Sequence, residues 1–332
     1  MNKIPINSTE PILTRRAFLG QVAGLSGVAV GLAGGGYLVY SDEPIRQAQV
    51  KVQKFKDFRV KPDPMHPVMA VVRGARIEAM VQEAVTRLGG MARFVARGDR
   101  VLLKPNVGWD RQPEQAANTG PELVGAMVRI CREAGAASVL VTDVSLNDPR
   151  RCFARSGIEE VVLAAGGSVA LPGRHDFVET DLGGSVLKVW PVARFFHEVD
   201  KVINLPIVKH HSLSGCTLAM KNWYGVLGGE RNRLHQAIHG SIVDLAAAVR
   251  PTLTVMDATR VLKRNGPTGG SLADVVREET IIASLDEVAL DSFCLGFLDL
   301  SPDVIPFLAM AEMRGLGKVA WREVNVSHSQ VG

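Results

Sequence analysis

The sequence predicts an α/β protein with a mostly parallel sheet, helices on both faces and a small antiparallel insertion. Three observations predict it. Short apolar runs of strand length recur at residues 68–72, 100–103, 138–142, 169–171, 201–205, 252–256 and 280–283. Stretches with apolar residues at helical spacing separate many of them, and such alternation is the pattern of parallel strands with crossover helices. Residues 177–192 instead alternate around Gly183-Gly184, a hairpin signal that marks the insertion.

Each element has a local reason. Residues 61–67 carry Pro62, Pro64 and Pro67, which exclude a helix and make 42–67 a linker. The first helix has Ile77, Met80, Val81, Ala84, Val85 and Leu88 on one face and stops at Gly89-Gly90. Thr119-Gly120-Pro121 opens a second helix, with Pro121 in the first turn, and Gly135 closes it. A helix over 150–165 is interrupted near Gly157. The strand at 201–205 leads into the densest polar stretch of the chain. A helix over 238–249, a strand ending in Asp257, a strand at 280–283 and a helix capped by Asp286 follow. A last strand at 318–324 completes a single domain over 68–324, with a division into two subdomains left open, and 325–332 reads as a loose tail.

The chain has 332 residues, enough for a large core, with 46% hydrophobic residues and a net charge of +4. No basic stripe stands out, which argues against a nucleic-acid partner. None of the four cysteines forms a Cys-x-x-Cys, so no iron–sulfur or zinc-ribbon motif is present. Cys131 and Cys294 lie in apolar company and read as core. One or two disulfides remain open in an oxidising compartment, with no pairing set by spacing.

In a parallel sheet, ligands gather beyond the carboxyl ends of the strands. Lys104, Asn106, Asp143, Asn204, Lys209, Asp257 and Asp286 are all expected near such ends. Lys209 and Lys221 are candidates to hold a carboxylate or phosphate, with Asn106 and Asn222 supplying directed hydrogen bonds. Burial together would lower a lysine pKa and make it a base. His211, two residues from Lys209, shares its side of an extended segment, whereas His210 points away. His211 is the expected proton carrier. His235 and His239 share a face if helical, which makes His235, with Asp257 and Asp286, a candidate divalent-metal set. No Gly-x-Ser-x-Gly elbow and no phosphate-binding glycine fingerprint is present.

These residues together resemble the domain-of-unknown-function 362 family. The first half is carried by Lys104-Pro105-Asn106, Asn118-Thr119-Gly120-Pro121, Glu133-Ala134-Gly135-Ala136 and Thr142-Asp143. The centre is carried by Asn204-Leu205-Pro206, Lys209, His211, Thr217, Met220-Lys221-Asn222 and Gly225. Arg231, His235, Asp257, Gly266-Pro267-Thr268-Gly269, Asp286 and Asp291 carry the rest, so the likeness runs over residues 68–317. The resemblance implies no settled activity. Some members carry an added ferredoxin-like domain, whose cysteines this chain lacks. The segment from Lys209 to Lys221 also looks distantly like the lysine-bearing loop of nickel-pincer lactate racemase, and no cofactor is carried over from it.

Thr14-Arg15-Arg16-Ala17-Phe18-Leu19 resembles a twin-arginine export signal, and residues 17–40 follow without a charge. This implies the twin-arginine translocation machinery as a partner and a periplasmic or other extracytoplasmic location. Cleavage and anchorage of residues 1–41 both stay open, and only this segment would meet a membrane. The expectation is an exported protein with a polar crevice for a small anionic ligand. Lys104, Asn106, Asn204, Thr217 and Asn222 would bind it, and Lys209, His211 and Lys221 would do acid–base or metal-assisted chemistry beside a periplasmic redox system. The alternative is a non-catalytic binding or maturation factor for another exported protein.

Overall fold

The computed structural model describes residues 52–332; the twin-arginine-like motif and the apolar stretch after it lie outside the described residues. Twelve strands form among them: β1 (Met69–Gly74), β2 (Arg100–Pro105), β3 (Ser138–Thr142), β4 (Ser168–Ala170), β5 (Phe177–Asp181), β6 (Val189–Ala193), β7 (Lys201–Leu205), β8 (Ile207–His211), β9 (Gly215–Thr217), β10 (Leu253–Leu262), β11 (Val275–Ser284) and β12 (Val326–Val331). The main sheet runs β12-β1-β11-β10-β7-β2-β3-β4, with β8 and β9 attached beside β10. From β10 through β7, β2 and β3 to β4, every pairing is parallel. Strand β11 runs antiparallel to both β10 and β1. The β5–β6 hairpin forms a separate antiparallel ribbon.

Burial on both faces explains the near-continuous apolar strands. Val101 and Leu103 of β2 pack into one core and Leu102 into the other. In β10, Val255 faces the first core and Met256 the second. Helices α1 (Ile77–Arg87), α2 (Pro121–Glu133), α3 (Pro149–Arg155) and α4 (Ile158–Ala164) cover one face. The break between α3 and α4 falls at Gly157, whose φ of 72° is left-handed. Helices α5 (Ala219–Asn222), α6 (Ile238–Ala248), α7 (Glu287–Cys294) and α8 (Pro306–Met313) cover the other.

Four expectations change. Strand β10 continues for ten residues, so Asp257 lies within a strand rather than at its end. Residues 318–324 form no strand; a 3-10 turn at Trp321–Glu323 stands there. The tail supplies the edge strand instead, with Val326–Val331 paired in parallel to Met69–Gly74. Its polar sequence suits an edge with one exposed side, which hides it from an apolar-run search. All four cysteines are buried and free.

The linker expectation is also narrowed from residue 52 onward. Phe58 is buried in the core, and its carbonyl accepts a hydrogen bond from Thr252 Oγ1 at 2.9 Å. No helix among the described residues is long and apolar enough to cross a membrane.

Candidate functional site

The residues that follow strands β2 and β3 open onto one cavity of about 290 Å³, with β7 between β2 and β10 behind it. Lys104 of β2 is in register with Asn204 of β7, and Asp143 follows β3. Asn106, Asp143 and Asn222 line the wall on that side. The β8–β9 hairpin supplies the other wall. Lys209 and Thr217 are cross-strand partners there, so their side chains share a face. His211 lies on the same face as Lys209, as period two requires. His210 points elsewhere and accepts from Gly266 N at 3.2 Å. Helix α5 adds Lys221, and the 3-10 segment Arg231–Ala237 adds Arg231 and His235.

The three lysines differ in what holds them. Lys104 Nζ donates to Asp143 Oδ1 at 2.7 Å, Pro105 O at 2.9 Å and Asn222 Oδ1 at 3.2 Å. Burial lowers its pKa, and the Asp143 carboxylate offsets that only in part. With every N–H met, one of them by a carboxylate, the ammonium form is the one this geometry supports. Lys209 Nζ donates to Asn106 Oδ1 at 2.8 Å and Ala117 O at 2.5 Å, both neutral. Burial, and then the charge of Lys221, lower its pKa to about 7. Lys221 Nζ stands 4.9 Å from the centre of the Tyr224 ring and has no hydrogen-bond acceptor among the described residues. Burial lowers its pKa to about 8. Thr217 Oγ1, across from Lys209, is also buried without a partner.

Asn204 stands behind the cavity and sets its polarity. Glu287 Oε1 accepts from Asn204 Nδ2 at 2.7 Å, and Asn204 Oδ1 accepts from Asn222 Nδ2 at 2.8 Å. Asn222 Oδ1 accepts from Asn106 Nδ2 at 2.9 Å, which turns Asn106 Oδ1 toward Lys209. Each amide can face only one way, because the Glu287 carboxylate accepts at the far end. Glu287 also accepts from Trp223 Nε1 and Thr254 Oγ1. Asp291, buried beside it, accepts from the backbone N–H groups of Ala219 and Met220 and fixes the start of α5.

His211 is held by the turn that follows it. Its Nδ1 accepts from Leu213 N at 3.2 Å and Ser214 N at 3.4 Å, closing the β8–β9 turn. Burial, then the charges of Lys221 and Lys209, push its pKa down to about 2. With Nδ1 accepting from two backbone N–H groups, the proton of the neutral ring sits on Nε2.

Asp257, Asp286 and His235 do not converge. Asp257 accepts from Gly120 N at 2.7 Å and from Thr259, tying the start of α2 to β10. Asp286 caps α7 through Ala289 N and also holds Lys318 N. His235 reaches the cavity but stacks on Tyr224, whereas His239 stacks on Phe307. The chain passes from 3-10 to α-helix between them, so the four-residue spacing does not align them. No group of three or more His, Cys, Asp or Glu among the described residues is placed to hold a metal ion. The cavity's own donor set, with Asp143 committed to Lys104 and the basic groups Lys209, Lys221 and Arg231 beside it, suits an anion better than a divalent cation.

Four participants escaped the sequence reading of the site. Arg231 donates to the carbonyls of Val144, Tyr224 and Ser145 and pins the cavity rim. Trp109 and Tyr224 give the cavity an aromatic side. Glu287 looked like an ordinary first-turn glutamate beside a cap residue, and nothing local distinguishes it.

Fold and site together define an α/β protein with a cationic crevice beyond the carboxyl ends of its parallel strands. Residues 101–296 match the family described as Domain of unknown function (DUF362), and the chain belongs to that family. It is 29% identical over 251 residues to a thylakoid-associated protein of Synechocystis sp. strain PCC 6803, covering 73% of this chain and 76% of that one. Among solved structures it is similar to a Thermotoga maritima protein from a structural genomics consortium, at 10% identity and a TM-score of 0.39, covering 71% of this chain and 59% of that one. It is also similar to the lactate racemase apoprotein of Thermoanaerobacterium thermosaccharolyticum, at 12% identity and a TM-score of 0.37, covering 72% of this chain and 57% of that one. The chain thus spans less than two thirds of the length of either solved protein.

Proposed function

We propose that the chain binds a small anionic ligand in this cavity and carries out acid–base chemistry on it. Lys221 carries the reading. The side chain is largely buried, at 8% exposed, and its ammonium group opens onto the cavity with an aromatic face for company and no acceptor among the described residues. A buried cation without a partner is costly, and an anion from outside would relieve that cost. Thr217 Oγ1 supports the same reading as a second unpartnered polar atom in the wall. Lys209, with its pKa drawn to about 7, supplies a group able to take or give a proton near neutrality. Enclosed lysines of this kind favour an enzyme over the non-catalytic binding or maturation factor, which would call for a shallow site with an exposed apolar patch.

Calorimetry and thermal shift with phosphate, acetate, lactate and succinate test the binding. At least one anion should bind saturably, raise Tm, and bind less well as the pH passes about 8 and Lys221 loses its proton. Binding that survives unchanged in Lys221→Met would overturn the assignment.

The reading includes export by the twin-arginine route, supported by Arg15-Arg16 with Phe18-Leu19 and the uncharged stretch after them. A folded reporter behind residues 1–41 should stay in the cytoplasm when Arg15 and Arg16 are both changed to Lys. Normal export of that variant would remove the claim.

A further inference from the structure

Two buried lysines on adjoining walls differ in the number of acceptors around the nitrogen. Lys104 Nζ has three, which is what an ammonium group needs. Lys209 Nζ has two among the described residues, a side-chain amide oxygen and a backbone carbonyl. A neutral amine fills those two acceptors with its two N–H bonds and leaves its lone pair free. An ammonium group there would carry a third N–H without a partner in a buried site, at a real desolvation cost. The acceptors cannot turn to adapt. Ala117 O belongs to the backbone, and Asn106 Oδ1 is aimed by the amide chain that ends at Glu287.

The surroundings complete the arrangement. Lys221 of α5 offers a cation without an acceptor, and Thr217 Oγ1, opposite Lys209, offers a hydroxyl without a partner. The other charged or titratable groups lining this space are Asp143 after β3, His211 of β8, and Arg231 and His235, with Lys104 of β2 buried behind Asp143. Burial and the Lys221 charge draw Lys209 toward the neutral form, with a pKa of about 7.

We propose that Lys209 is a nucleophilic amine that condenses reversibly with the aldehyde or ketone carbon of a small oxo-carboxylate whose carboxylate pairs with Lys221. This rests on the anion-binding reading above and adds a covalent step to it. The nitrogen lone pair forms the C–N bond while the carbonyl π pair moves to oxygen. One amine proton passes to that oxygen and gives a carbinolamine, with the Thr217 hydroxyl in the wall to hydrogen-bond the oxygen. The C–O bond then breaks, the second amine proton leaves with the hydroxyl as water, and a C=N bond remains. Amine and carbonyl become imine and water, with no oxidant or reductant.

Reductive trapping tests it on the full chain. The protein is incubated with glyoxylate, pyruvate or succinic semialdehyde and sodium cyanoborohydride, and adducts are located by peptide mass spectrometry. Propionaldehyde, which lacks the carboxylate, is run in parallel. The expected result is an adduct at Lys209 that forms about tenfold or more faster than at any exposed lysine. Trapping of every probe at Lys209 should rise as its amine deprotonates near pH 7, and trapping of the oxo-acids relative to propionaldehyde should fall as Lys221 deprotonates near pH 8. Lys221→Met should lose the preference for the oxo-acids and shift the rising limb to higher pH, because a neighbouring positive charge is gone. Mapping on the wild-type protein needs no variant, so a misfolded Lys209→Met would not leave the question open. Adducts spread evenly over surface lysines, or absent from Lys209 for every probe, would overturn the proposal. Saturable binding of lactate or succinate in that case would leave the anion-binding reading standing, and its absence as well would remove both.

Discussion

Replacing Lys221 with methionine should stabilise the fold while abolishing anion binding. Methionine keeps most of the packing volume and removes the ammonium group. The pKa of Lys221 falls from 10.5 to about 8 because burial disfavours its charge. At about 1.4 kcal/mol for each unit, that difference corresponds to about 3 kcal/mol of cost to the folded state. Loss of the contact with the Tyr224 ring offsets about 1 kcal/mol, which leaves about 2 kcal/mol of expected gain. The sign follows from proton counting. Between pH 8 and 10.5 the unfolded chain binds more protons at this residue than the folded one, so wild-type stability rises with pH across that window. The penalty is therefore fully present below about pH 8 and gone above about 10.5, and the variant's advantage follows it. Urea and thermal denaturation at pH 6 and pH 10 measure this, with an expected rise in Tm of roughly 4–8 °C at pH 6 and a smaller one at pH 10. A variant less stable than wild type at pH 6, or a gain independent of pH, would refute the reasoning. A residue whose removal strengthens the fold is one retained for something other than the fold.

Further outcomes follow from the same geometry. Gly225→Ala should cost about 3–5 kcal/mol and abolish anion binding, since the new Cβ would collide with Asp143 Oδ1 and stand 2.5 Å from Lys104 Nζ, forcing the buried pair apart; chemical denaturation reads it. Glu287→Gln should cost about 1–3 kcal/mol, because its amide NH2 must face either Trp223 Nε1 or the Asn204 and Thr254 donors; unchanged stability would mean that Glu287 does not terminate the amide chain. Removal of residues 326–332 should lower stability by roughly 3 kcal/mol at about 0.5–1.5 kcal/mol for each ladder hydrogen bond lost, and should promote association through the bared β1 edge; light scattering beside thermal melts would show both.

Much of the architecture was legible because it rests on local patterning. Apolar strands separated by amphipathic helices specify a two-sided sheet, and the observed cores divide alternate residues of β2 and β10 between its faces. Period two placed Lys209 and His211 on one side and His210 on the other. The carboxyl ends of parallel strands brought Lys104, Asn106, Asp143 and Lys209 together, because a parallel register puts those ends in one place. Asp286 was recognisable as a cap because capping acts within a few residues.

What only tertiary structure decided is how each polar atom is spent. Asp143 and Asp257 both follow apolar runs, yet one neutralises Lys104 at the cavity and the other ties Gly120 to Thr259 outside it. His211 is tied into the β8–β9 turn because two backbone N–H groups close on its Nδ1, with Lys209, Lys221 and Arg231 lining the same cavity. A polar tail became a strand because β1 had an unpaired edge to offer. The three lysines are the clearest case. Their positions at a common site follow from the order of the chain, but the acceptors around each nitrogen come from residues up to more than a hundred positions away. Sequence by itself determines that amines gather here. The fold determines that Lys104 has three acceptors, one of them a carboxylate, that Lys221 has none among the described residues, and that Lys209 has two, because burial and hydrogen-bond count are properties of packed neighbours and not of spacing along the chain.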